Sequence, residues 1–157
     1  MTMDTSKSEI PSGTAAQPSS VVVHGRASGF AQEITVGDHR LVSDEPATAG
    51  GTDTGSTPYD LLLAALGSCT SMTLGLYARR KHWPLEGVTV RLRHSRAHAT
   101  DCLECQDKAV MLDRIDCAIE LRGVLTDEQR GKLLEIAKKC PVHRTLTSEI
   151  AIYTHLA

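Results

Sequence analysis

Aromatic residues are scarce, with one Phe, one Trp and three Tyr in 157 residues. Stacking on unpaired bases needs such rings, so an aromatic nucleic-acid platform has no material here. Positive charge is not in excess either. Lys and Arg number 17 against 19 Asp and Glu, a formal net charge of -2, and the cations are scattered, which leaves no footprint for nucleic acid or an anionic membrane. The apolar stretch from Leu61 is broken by Gly67, Ser68, Thr70, Ser71 and Thr73, short of the ~20 apolar residues of a membrane span. Residues 1–20, MTMDTSKSEIPSGTAAQPSS, contain no apolar h-region of a secretory signal and read as a flexible Ser/Thr/Pro-rich tail. No internal repeat is visible, and the Gly/Thr-rich stretch DEPATAGGTDTGS is not followed by the Gly-Lys-Ser/Thr of a phosphate loop. A soluble cytoplasmic protein without nucleic-acid or membrane partners is expected.

What is present suffices for one core. With 41% hydrophobic residues, residues 21–157 are expected to form a single domain. Val21–His24, Phe30–Val36 and His39–Ser43 read as an antiparallel meander with a Gly37-Asp38 turn. Thr57 to Lys81 then reads as a long buried helix: Thr57 caps it, Pro58 fills its first position, and Asp60 completes a capping box. Gly87–Thr100 alternates as a strand whose inner face passes from Val88, Val90 and Leu92 to His94, Arg96 and His98. A second alternating run carries Met111, Ile115, Cys117, Ile119 and Leu121 on one face, which makes Cys117 a small core residue. Thr126 and Gln129 open another capped helix, Cys140-Pro141 starts a further helical turn, and Glu149–Thr154 reads as a closing strand. Strands grouped on either side of the helices predict an α+β fold.

Chemistry concentrates in the 5 cysteines, Cys69, Cys102, Cys105, Cys117 and Cys140. In a reducing compartment such residues carry reactivity or metal more often than structural disulfides. Cys69 shares a helical stripe with Leu62, Ala65, Leu66, Met72 and Leu76, so its thiol faces the interior or an interface. It lies about three turns into the helix, beyond reach of the helix dipole, so a thiolate there needs a cation from another segment. Arg26 is the first candidate and Arg40 the second, with His143 and Arg144 beside Cys140. Cys140, as cap of its own turn, has a helix start and a nearby His and Arg.

The segment TPYDLLLAALGSCTSMTLGLYA, followed about 70 residues later by KKCPVHRTL, resembles the OsmC/Ohr family of thiol-dependent hydroperoxide reductases. The resemblance implies an OsmC-like fold of antiparallel sheets around a long central buried helix, in an intertwined homodimer. It also implies a reaction: Cys69 attacks an organic hydroperoxide and becomes a sulfenic acid, Cys140 condenses with it to a disulfide, and an external dithiol reduces the pair. No cofactor is required. The sequence departs from that pattern at Tyr59, where the peroxidases carry a glutamate that orients the activating arginine; Asp60 follows one position later, turned by ~100° on a helix. A non-catalytic member of the same family, binding an apolar small molecule, is the alternative.

His98, Cys102 and Cys105 form a second constellation, with the ligand types of a zinc site. His94 lies ~13 Å from His98 along a strand, so sharing one ion would take a bulge or bend; a solvent-facing loop with incidental thiols and a Cys102/Cys105 redox pair are the alternatives to zinc. Asp101 or Glu104 is available as the fourth ligand.

Overall fold

A computed structural model describes residues 20–98 and 111–156. The chain divides into two compact units, Met1–Gly55 and Ser56–Ala157. In the first, β1 (Val21–Gly25), β2 (Gln32–Val36) and β3 (His39–Ser43) form the expected antiparallel meander, with Val23 opposite Ile34 and Ile34 opposite Leu41. Val36 pairs with His39 across a two-residue turn in which Gly37 takes φ 56°, a conformation that suits the twist of a tight hairpin and that L side chains resist. The loop after β3 is ordered by Asp44, which is buried. Its carboxylate accepts from Glu45 N, from Thr52 N and Oγ1, and from Thr54 N and Oγ1.

The second unit is built on α1 (Pro58–Lys81). Its start is the capping box read from the sequence: Thr57 Oγ1 accepts from Asp60 N at 3.2 Å, and Thr57 N donates to Asp60 Oδ2 at 3.0 Å. His82 ends the helix at φ 54°, and Trp83 N donates to Ala78 O. β4 (Leu85–His98) and β5 (Met111–Gly123) form an antiparallel pair in which Val88, Val90 and Leu92 stand opposite Leu121, Ile119 and Cys117. α2 (Asp127–Ala137) opens on the Thr126–Gln129 capping box, and Arg130 donates to Leu121 O and Gly123 O, tying the helix to the end of β5. The core is Leu74, Ala78, Leu133 and Ala137, with Val88, Ile119, Leu121 and Ile136 packed against it.

Two expectations change. First, α1 is buried along one stripe, Leu66, Gly67, Thr70, Leu74 and Ala78, while Leu62, Met72 and Leu76 are exposed. β4, α2 and a short third helix, α3 (Pro141–Leu146), cover only one side of the helix. By length and composition α1 is also sufficient to cross a membrane, although its Ser, Thr and Gly interruptions suggested otherwise; its buried stripe lies against protein. Second, Glu149–Thr154 is not a strand, and Ile150 and Ile152 are exposed. Alternation prepares one face for burial, but a strand also needs a neighbouring ladder, and neither described sheet takes up this segment.

Candidate functional site

Cys140 is the cap of α3 (Pro141–Leu146), as the Cys-Pro pair predicted. Its Sγ accepts from His143 N at 3.3 Å and lies 3.5 Å from Thr70 Oγ1. Residue 140 is 0% exposed. The second cysteine motif therefore closes onto α1 at the residue next to Cys69, although 70 positions separate Thr70 from Cys140. Proline at the first position of α3 fixes the entry geometry and removes an N–H that would have no helical partner.

Cys69 is half-buried. Successive helical residues are ~100° apart, so Cys69 lies on the line of the exposed Leu62 and Leu76, between the buried Leu66 on one side and the exposed Met72 on the other. Thus Cys69 sits at the edge between the covered and uncovered faces of α1.

Between α1, β5, α2 and α3 lies a cavity of about 340 Å³. Leu66, Ile115, Ile119 and Leu134 make its wall mainly apolar, while Thr70, Asp113, Cys117 and His143 add polar and thiol groups. Cys117 does lie on the α1-facing side of β5, but it is exposed and borders this cavity instead of being packed away in the core. The sequence alternation identified its face; how far α2 and α3 extend over that face was not legible. Partial burial, and secondarily electrostatic interaction with the nearby Cys140, push the Cys117 thiol up from its ordinary pKa.

A polar cluster at the start of α1 was missed from sequence. The Tyr59 ring stacks on His94 with centroids 4.4 Å apart, and His94 Nε2 lies 2.8 Å from Asp113 Oδ1. Arg96, directly opposite Asp113 in the register, lies 3.5 Å from the same oxygen, and Tyr59 first, then Asp113, push its guanidinium above the ordinary pKa. His94 first, and then Arg96, hold the Asp113 carboxyl below its ordinary pKa against partial burial. Its only sequence signal was the switch of the β4 inner face from apolar to polar at His94; the Tyr59 contact depends on how α1 crosses the sheet.

Asp60 is committed to its cap, accepting from both Thr57 N and Thr57 Oγ1. Arg26 and Arg40 belong to the N-terminal unit. Arg26 borders a hollow of about 490 Å³ with His24, Phe30 and Thr54, and Arg40 donates to Thr35 Oγ1 at 3.4 Å. Cys102, Cys105 and the side chain of His98 lie outside the described residues, and so does the tail at residues 1–19. Among the described residues no group of three His, Cys, Asp or Glu side chains is arranged to hold a metal.

Residues 51–155 match the family described as OsmC-like protein. This chain belongs to that family. A comparison with curated protein sequences finds no match. Solved structures share the fold: an OsmC-like protein from Mycoplasma pneumoniae is 18% identical, with TM-score 0.65, over 84% of this chain and 89% of the other. The organic hydroperoxide resistance protein OhrB of Bacillus subtilis is 20% identical, with TM-score 0.59, over 85% and 93%. A third, an organic hydroperoxide resistance protein from Elizabethkingia anophelis, is 17% identical, with TM-score 0.63, over 86% and 91%. The OsmC-like chain thus has the expected α+β architecture of antiparallel sheets and a long helix.

Proposed function

We propose that this OsmC-like protein is a thiol-dependent peroxidase that reduces organic hydroperoxides with Cys69 and Cys140. The observation that carries the reading is the seat of Cys140: fully buried, capping α3, and in contact with the residue that follows Cys69. In the first step the Cys69 thiolate attacks the terminal peroxide oxygen. The O–O bond breaks, the alcohol leaves after taking a proton, and Cys69 becomes a sulfenic acid. Cys140 then attacks that sulfur, water leaves, and a disulfide forms. An external dithiol returns both cysteines to thiols by two exchanges, so thiol chemistry completes the cycle without a cofactor. The apolar surroundings of Cys69 favour an alkyl tail over a small hydrophilic peroxide. The Cys69 thiolate needs a cation from outside its own helix. Asp60, which accepts from Thr57 N and Oγ1, holds the helix start in place.

The working unit is a homodimer. Leu62, Met72 and Leu76 leave an apolar stripe uncovered beside Cys69, and Ile150 and Ile152 alternate without a ladder. A second copy related by a two-fold axis supplies a like surface to both. A reducing cytoplasm suits a cycle that must return its disulfide to thiols.

The test is a single turnover. Reduced protein receives one equivalent of cumene hydroperoxide, and the cysteines are then alkylated and mapped by mass spectrometry. A Cys69–Cys140 disulfide with loss of peroxide is expected. Cys69 recovered as a thiol while peroxide persists would overturn the reading. It would favour the second one, a non-catalytic binder of an apolar small molecule, for which the largely apolar cavity wall speaks.

A further inference from the structure

A serine or threonine hydroxyl in a helix can turn back onto the carbonyl four residues earlier. Ser68, Thr145 and Thr147 do so, donating to Ala64 O, Pro141 O and His143 O. The Thr70 hydroxyl instead meets the Cys140 sulfur at 3.5 Å, and both residues are buried. His143 N donates to the same sulfur at 3.3 Å. While Cys140 is a thiol, either it or Thr70 can supply the proton of their contact. Once Cys140 is a thiolate, only Thr70 has a proton to give. A charged sulfur shut away from water needs protein donors in place of solvent, and Thr70 and His143 N stand where such donors must be.

We infer that Thr70 is the positioning residue of the second thiol step: its hydroxyl holds Cys140 Sγ beside Cys69 and orients it towards the oxidised sulfur. The inference rests on the peroxidase reading for the origin of the sulfenic acid. Thr70 follows Cys69 directly, with α-carbons ~3.8 Å apart, and stands ~100° further round the helix, on the buried stripe with Leu66. A sulfur held on Thr70 is therefore one residue from its target. In the step itself, the Cys140 thiolate attacks Sγ of the Cys69 sulfenic acid. The S–S bond forms, the S–O bond breaks, and the proton given up by Cys140 converts the departing hydroxide to water. Thr70 keeps its own proton throughout and loses its charged acceptor as the disulfide closes.

The two branches of this side chain have separable roles. The methyl group fills space on the covered face of α1, while the hydroxyl serves the sulfur. Thr70→Val keeps the β-branched shape and removes the hydroxyl. Thr70→Ser keeps the hydroxyl and removes the methyl. A role in packing alone makes the Ser variant the worse of the two, whereas a role in holding Cys140 makes the Val variant the worse.

The attack of Cys140 on Cys69 can be timed without peroxide. Full-length protein carrying Cys102→Ser, Cys105→Ser and Cys117→Ser is reduced and mixed with dithiobis(nitrobenzoate). The half-buried Cys69 takes the reagent before the fully covered Cys140, forming a mixed disulfide and releasing one coloured thiolate. Cys140 then attacks Cys69 Sγ, closes the disulfide and releases the second. Thr70→Val should slow the second release about tenfold, the scale of one hydrogen bond to a charged group, while Thr70→Ser stays within about twofold and the first release is unchanged. Thr70→Ala, which also lacks the hydroxyl, replaces Thr70→Val if circular dichroism shows that the latter does not fold. Equal second rates in the parent and both variants, or a Ser variant slower than the Val variant, would overturn the inference, as would a parent that never releases the second thiolate. The same proteins then receive one equivalent of cumene hydroperoxide with dimedone, and Thr70→Val should leave more dimedone adduct on Cys69 and less disulfide than the parent. If the exchange rates follow the expected ranking while Cys69 stays reduced under peroxide, the role of Thr70 stands and the peroxidase reading fails. If peroxide is consumed but exchange rates and adduct are equal in all proteins, the peroxidase reading stands and the role of Thr70 fails.

Discussion

Asp44 concentrates five hydrogen bonds on one carboxylate, four of them on Oδ2. The Thr52 hydroxyl is the strongest influence; burial works against it, and the Thr54 and Glu45 donors restore the balance, so the carboxyl is held well below the usual carboxylate range. The sign of the linkage follows: a carboxyl with a depressed folded pKa contributes stability that is complete above the unfolded value of about 4 and is lost as pH falls through the folded one. Asp44→Asn should therefore lower the thermal midpoint at pH 7, and its penalty relative to the parent should shrink on acidification below about pH 4. Circular dichroism melts from pH 7 to pH 2.5 check this, and an equal penalty at both ends would refute it. Little of this was legible, since DEPATAGGTDTGS has no periodicity and the pairing of Asp44 with Thr52 and Thr54 depends on the loop's path. The Cys140 cap, by contrast, was legible because it needs only a cysteine, a proline and four consecutive residues.

At the scale of elements, helix starts were the most readable feature, since a capping box is closed by residues three apart. Thr57–Asp60 and Thr126–Gln129 both form. Contacts between elements were not readable in the same way, and Gly67 is the clearest case. It interrupts the apolar run and reads as a weak point in a helix, yet a Cβ built there would lie 2.8 Å from Leu92 Cδ1. The missing side chain lets α1 approach β4. Gly67→Val should destabilise the protein by about 1–3 kcal/mol through overpacking, despite removing glycine from the helix. Adding Leu92→Ala should give a positive double-mutant coupling, with part of the Gly67→Val loss offset. Urea unfolding of the two single variants and the double variant measures both, and strict additivity would show that Leu92 is not the neighbour that matters. The same limit explains the C-terminal segment, whose alternation was real while its ladder was missing.

At the scale of the whole molecule, the uncovered face of α1 is decisive, because Met72 is 72% exposed in the middle of an apolar helix. If a second copy covers it, sedimentation velocity should find a dimer at micromolar concentration, and Met72→Asp should shift it towards monomer by placing a charge in an apolar interface. A parent protein that sediments as a monomer at all concentrations would remove the dimer from the account. By itself the sequence determined the α+β class, the extents of β1 to β5 apart from their ends, both capping boxes, the Cys140 turn and the family, because each rests on short spacing or on a motif. Only the tertiary structure decided which face of α1 is covered, that Thr70 touches Cys140, that Tyr59, His94, Arg96 and Asp113 meet, and that Cys117 borders a cavity. These depend on how separate elements cross, and the helix with Cys69 at its centre is consistent in sequence with burial on either face. Packing of β4, α2 and α3 on the Leu66–Leu74 side leaves Cys69 at the boundary, where its chemistry depends on what comes to meet it.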